Sequence, residues 1–272
     1  MKSFYPANGL TGVCPVINRY FTFLTFALLL FSSPVAAVDY YWVGGSGMWS
    51  DHNTHWATAS GGLVFHDQVP TSMDDVHFDE NSFPSGGTVT VDETIVYCRS
   101  MDWTGATNTP EFSGSNNIYI HGSLILISDM TLSFSGQIHF LSELMLNTVT
   151  SAGQVFIGNV YFEGAGGEWT FSDDFTSDGD IRQSAGTLHT DNHTLMVDDI
   201  IAGGSSIYLG SSDVHVAVNF SVGSGTILDA GTSHLYVGSG DLSASVSHTF
   251  YNVTKLSNGQ VSSCNIDQKL TF

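Results

Sequence analysis

The sequence predicts an all-β fold: a right-handed parallel β-helix, or β-solenoid, with an aromatic-rich cap at its N-terminal end. Three observations predict it. Between residues 87 and 253, short runs tend toward apolar–polar alternation, as in Asn117-Ile118-Tyr119-Ile120 and Asp213-Val214-His215-Val216. That is the period of a strand with one buried face. Gly, Ser, Asn and Asp stand at or near the ends of these runs, where a chain has to turn. Glycine-led runs also recur at a steady interval, with Gly167, Gly186, Gly204 and Gly225 spaced 19, 18 and 21 residues apart. A period near twenty without helices is that of coils that stack on their neighbours and share one continuous core. The rival architecture, a β-sandwich or jelly roll, requires fewer strands and longer loops.

Residues 1–37 read as a secretory signal peptide. Lys2 and Arg19 supply positive charge, residues 20–31 form a mostly apolar run, and Val35-Ala36-Ala37 fits cleavage after a small residue. The apolar run is short for a membrane span, and no second run of that length follows. A secreted or cell-surface location is expected, with no integral membrane span after signal cleavage. Without Lys2 and Arg19, four basic residues remain (Arg99, Arg182, Lys255 and Lys269) against 26 acidic ones, a formal charge of −22. Such a surface repels nucleic acid and anionic membranes. It is compatible with Ca²⁺ or with neutral or basic glycans. Cys98 and Cys264 fall near opposite ends of the predicted rod, so two separate thiols are expected. A disulfide needs Cα atoms within about 7 Å.

The cap region covers residues 38–86. Trp42, Trp49 and Trp56 crowd into fifteen residues among glycines. The first coil of a solenoid has an open edge, and bulky aromatics that cover it are the expected role. An exposed sugar-stacking platform is the alternative. Asp74, Asp75, Asp79 and Glu80 gather near a turn. Closely spaced carboxylates can hold Ca²⁺, although a solvated turn is the simpler reading. No other cofactor is indicated.

The pattern Tyr41-Trp42-Val43-Gly44-Gly45-x-Gly47-x-Trp49-Ser50-Asp51, then His55-Trp56, then Pro70-Thr71-x-x-Asp74-Asp75-Val76-x-Phe78-Asp79, carries a resemblance. It continues through Cys98-Arg99-Ser100-Met101-Asp102-Trp103-Thr104-Gly105 and Gly167-Glu168-Trp169-Thr170-Phe171. In these motifs the chain resembles secreted, adhesin-like β-solenoid surface proteins of Bacteroidetes. The resemblance implies a parallel β-helix stem and, for many such proteins, export by the type IX system. This chain shows no evident C-terminal sorting domain, so the likeness does not carry that export route over.

The solenoid is expected over residues 87–254, followed by a ragged or truncated tail over 255–272. Early in the stem, Asp102 is the nearby partner for Arg99, and Trp103 is placed to seal the first coil. Glycoside hydrolysis needs two carboxylates about 5–9 Å apart. Asp173, Asp174, Asp178 and Asp180 with Arg182 form the nearest local constellation, and Asp198 and Asp199 lie about one coil on. Solvated turn residues would give the same pattern. Scarce Lys and Arg argue against a grip on an anionic polymer. His77, His139, His189, His193 and His215 lack close metal-ligand spacing, though His189 and His193 could meet across a turn. No nucleophile elbow or phosphate loop is present, and no catalytic, cofactor-binding or metal residue is assigned. The expected function is an extracellular structural or adhesive module, contacting glycans or cell-surface components through many weak contacts. The alternative is a polysaccharide lyase or glycoside hydrolase on a β-helix scaffold.

Overall fold

The computed structural model describes residues 37–272, so the predicted signal peptide, apart from Ala37, lies outside the described residues. Over the stem each coil contributes three short strands, and each strand pairs in parallel with its counterpart one coil away. One face is a ten-stranded sheet from Trp56–Ala57 to Ile227–Asp229. A second begins as a four-stranded sheet and a third belongs to a fourteen-stranded one. The long strand Leu242–Lys255 pairs with both Phe220–Val222 and His234–Val237, and so joins two faces at the C-terminal end.

Alternation decides which side chains enter the core. Ile118, Ile138, Val160, Ile181, Ile200, Phe220 and Leu242 are successive register partners, and all are buried. A second column runs Leu195, Val214, Leu235, Val253. Stacking identical positions makes one unbroken apolar interior, which no single coil could close. The glycine-led runs do stack, with Trp169, Leu188, Ile207 and Leu228 in one column. Coil length varies. Steps from Val76 to Met101, Leu124 and Val149 take 25, 23 and 25 residues. Those from Asn147 to Trp169, and on to Leu188, Ile207 and Leu228, take 22, 19, 19 and 21.

The head closes the stack by reversing direction. Trp56–Ala57 pairs antiparallel with Asp39–Trp42, with Tyr41 opposite Ala57 and Trp42 opposite Trp56. Asp39–Trp42 in turn pairs in parallel with Asp75–His77, the next coil. Trp42, Trp49, Trp56, Phe78, Phe83 and Trp103 are all fully buried. The rings meet edge to face (Trp42–Trp56, 4.9 Å, 82°) or stacked (Phe78–Trp103, 3.8 Å, 12°), the arrangements aromatic quadrupoles favour. Burial of these tryptophans excludes them as a sugar platform.

At the other end, residues expected as a loose tail form the strand Val261–Thr271, parallel to Leu242–Lys255. An open strand edge offers a row of unpaired N–H and C=O groups, and the next segment of chain satisfies them. The inward column Val197, Val216, Val237 ends on Lys255, whose Nζ donates to the Gly238 carbonyl at 2.8 Å. Cys98 and Cys264 are both free thiols, as expected for residues at different levels of the stack.

Candidate functional site

Most of the candidate carboxylates are used by the fold. Asn117, Gln137, Asn159, Asp180, Asp199, Asn219, Asp241 and Gln260 occupy one corner in successive coils. The side-chain oxygens of Asn117, Asn159, Asp199, Asn219 and Asp241 each accept the backbone N–H of the next coil's corner residue. Asn159 takes Asp180 N at 3.0 Å, Asp199 takes Asn219 N at 2.6 Å, Asn219 takes Asp241 N at 2.8 Å and Asp241 takes Gln260 N at 2.7 Å. Backbone donors at a corner cannot join the sheet ladders, and this row satisfies them. Asp180 also receives Arg182 Nη2 at 2.8 Å. Asp173 accepts Ser151 N, and Asp174 accepts Thr194 N, both at 2.8 Å. Sequence reasoning did not find this ladder. Its signal is an Asn, Asp or Gln immediately before the inward Ile, Val, Phe or Leu of each coil.

Among the described residues, the carboxylates of Asp178 and Asp198 have neither a hydrogen bond nor an ion pair. Both line a groove of about 380 Å³ with Met196, His215, Tyr236 and Leu256. Burial, then the neighbouring Asp199 and Asp180, push the Asp198 carboxyl above the usual range. Burial likewise lowers the His215 imidazole. A folded-state pKa above the unfolded value of about 3.9 means that ionised Asp198 opposes folding above that pH. The opposition fades as pH falls through the folded value. Asp198→Asn is therefore expected to raise stability at pH 7 by about 0.5 kcal/mol, the screened scale of a partly exposed charge. The gain should disappear by about pH 3, where both carboxyl states are protonated. Urea unfolding of the two chains at both pH values checks this, and a gain that persists undiminished in acid would contradict it.

The outer face carries a stack of rings. Tyr97, Tyr119, His139, Tyr161, Arg182, Ile201, Ser221 and Ser243 are successive register partners pointing outward. His139 lies between Tyr119 and Tyr161, 4.4 Å from each ring and within 9° of parallel. Its Nδ1 is 2.8 Å from Glu163 Oε2. Face-to-face stacking turns ring edges and hydroxyls, not ring faces, to solvent. A second groove of about 440 Å³ opens beyond Tyr161, lined by Glu163, Arg182, Ile201, Gly203 and Ser221.

The remaining candidates fall elsewhere. His189 Nε2 sits 3.1 Å from Glu168 Oε1 and His193 Nδ1 3.8 Å from Asp174 Oδ1, so each histidine meets a carboxylate of the preceding coil. Arg99 does not use Asp102. It donates to Asp75 through Nε at 2.7 Å and through Nη2, while Asp102 accepts Thr104 N at 2.8 Å. Burial alone would raise the Asp75 carboxyl, but the Arg99 guanidinium and Ser100 N–H outweigh it and lower it.

The acidic residues near the turn do not converge. Asp74 accepts Thr71 N at 2.9 Å and Val38 N at 3.2 Å, and Asp79 accepts Asn81 N at 2.9 Å. Among the described residues, one group has metal-ligand atoms mutually within 4.8 Å: Asp39, Asp75 and His77. Strand register assembles it, since Asp39 faces Asp75 and Tyr41 faces His77. Arg99 already neutralises Asp75 there, and His77 Nε2 is 3.0 Å from Asp39 Oδ1.

One exposed feature escaped the sequence reading. Leu144, Met145 and Leu146 are 68%, 67% and 85% exposed. Leu144 N donates to Ser142 Oγ at 3.0 Å, and its carbonyl accepts Asn147 Nδ2 at 2.6 Å, so the turn is pinned from beneath.

Fold and surface together define a parallel β-solenoid with an aromatic closure at its N-terminal end. No family model, curated protein or solved structure matches the chain. No helix among the described residues is long and apolar enough to cross a membrane.

Proposed function

We propose that this chain is an extracellular structural or adhesive module: a rigid β-solenoid that contacts glycans or cell-surface components through many weak contacts along one face. The observation that carries this reading is the division of labour among its polar groups. Asp173, Asp174, Asp180 and Asp199 hold backbone or side-chain donors of adjoining coils. The outward column from Tyr97 to Ser243 instead presents ring edges, hydroxyls and a guanidinium. Weak contacts repeated at coil spacing on a rigid support add by avidity. The predicted leader and the resemblance to secreted surface proteins of Bacteroidetes support placing it outside the cell.

Adsorption of the purified chain to insoluble polysaccharides and to bacterial cell envelopes tests the reading. Binding that strengthens markedly when the chain is displayed in many copies on beads is expected. Absence of adsorption in either format would sink it. One observation favours a second reading, a polysaccharide-cleaving enzyme: Asp178 and Asp198 share a groove and lack partners. Release of new sugar ends from a bound polymer, abolished by Asp198→Asn, would establish that reading in place of the first.

A further inference from the structure

The groove beyond Tyr161 combines groups that suit one kind of ligand. Its outward residues Tyr161, Arg182, Ile201 and Ser221 come from four successive coils in register. The groove therefore runs across the strands, along the direction in which coils stack. Three steps at about 4.8 Å span about 14 Å, long enough for an extended polymer segment and not only a single small molecule. Glu163 can only accept hydrogen bonds and Arg182 can only donate them. Each is half engaged. Glu163 uses Oε2 on His139, and Arg182 uses Nε and Nη2 on Asp180. Glu163 Oε1 and Arg182 Nη1 remain for a ligand. Groups that both donate and accept, which are hydroxyls, satisfy both residues. Ile201 adds an apolar floor, as a sugar's less polar face requires.

Gly203 supports the same conclusion. Its backbone is outside the left-handed region, and a Cβ placed there would meet nothing within 4 Å. Neither conformation nor packing asks for glycine at this position. The missing side chain leaves the groove open in the coil where Ile201 forms its floor.

We propose that this groove binds an uncharged polysaccharide segment laid along the stack of coils, with its hydroxyls between Glu163 and Arg182. The proposal rests on the adhesive reading and narrows it to a place and a ligand class. The net negative charge of the chain opposes an anionic polymer approaching the surface, and Glu163 and Arg182 give the groove one charge of each sign, so the groove itself does not select a cationic polymer.

Affinity electrophoresis tests it. The purified full-length chain is run through native gels containing hydroxyethylcellulose, galactomannan or dextran, with polygalacturonate and chitosan as charged comparators. At least one neutral polymer should retard the chain. Gly203→Phe, which fills the groove where there is room, should weaken retardation at least about tenfold, the loss expected when a central contact site is blocked. Met196→Ala, in the other groove, should leave it unchanged. Arg182→Gln provides a second variant at a surface position should Gly203→Phe unfold, which a thermal melt reports. Retardation by a neutral polymer that ignores both groove variants overturns the assignment of this groove while the adhesive reading stands. Retardation only by polygalacturonate or chitosan overturns the ligand class. No retardation by any polymer overturns the proposal. If adsorption to solids is also absent, the adhesive reading falls with it.

Discussion

Trp56→Ala is expected to lower the unfolding free energy by about 3–5 kcal/mol, the range for removing a fully buried aromatic. Trp56 lies on the reversed strand that closes the stack and is fully buried. Its ring meets Trp42 and Trp49 at 4.9 Å each and Phe78 at 5.8 Å, so alanine leaves a cavity bounded by rings that cannot all move in. The indole Nε1 also donates to the Trp49 carbonyl at 2.8 Å. Losing it strands a buried acceptor, at about 1–3 kcal/mol within the same total. The damage should stay local, because each coil leans only on its neighbours. Hydrogen exchange is therefore expected to accelerate first over residues 39–57 and only later in the stem. The uncovered edge of Asp39–Trp42 should also promote association, visible by size-exclusion chromatography. A loss below about 0.5 kcal/mol in urea unfolding, the level of ordinary surface changes, would mean that the aromatic closure does not stabilise the stack.

Gly158→Ala is the second large expectation, about 3 kcal/mol or more. Gly136, Gly158 and Gly179 stand directly before the corner residues Gln137, Asn159 and Asp180, and they stack as a column. A Cβ on Gly158 would overlap the Gly136 carbonyl oxygen, which is backbone and cannot swing aside. Coils would have to part there, stretching the hydrogen bond from Ile138 N to the Asn159 carbonyl at that corner. Gly203→Ala is the internal comparison: with open space around it, it should fall within about 0.5 kcal/mol of the parent. Thermal or urea unfolding of the pair decides the matter. Equal effects at the two positions would show that the coils do not approach at the corner as closely as the column requires.

The column at this corner also shows where sequence reading stopped. Asp198 and Val218 take the place that glycine holds in neighbouring coils, and the following residue varies among Asn, Asp and Gln. A motif search keyed to identity passes over it. The common property is an oxygen acceptor one coil from a backbone donor, and that property exists only once the coils are aligned. Arg99 shows the same limit. Asp102 is three residues away and was the expected partner, but Asp75, 24 residues away, lies beside it in the stack. His189 and His193, four residues apart, could have met across a turn, yet each reaches back one coil to a different carboxylate. The prong at Leu144-Met145-Leu146 was visible as three consecutive apolar residues, but an apolar run alone does not say that it faces water.

Local pattern was enough for the architecture. Alternation at period two marked Ile118 and Ile120, and Val214 and Val216, as the buried face of their strands, and the near-twenty spacing of Gly167, Gly186, Gly204 and Gly225 announced stacked coils. The crowding of Trp42, Trp49 and Trp56 marked the closed end. These are properties of neighbours along the chain, and composition and spacing record them directly. The pairing of polar groups, the two grooves and the row from Tyr97 to Ser243 depend on contacts between coils. Coil length drifts between 18 and 25 residues over the stem. A slip of one residue would send every side chain of a strand to the opposite face, so partners one coil apart cannot be counted off along the sequence. Only the stacked register brings Glu163, Arg182 and Gly203 to one groove.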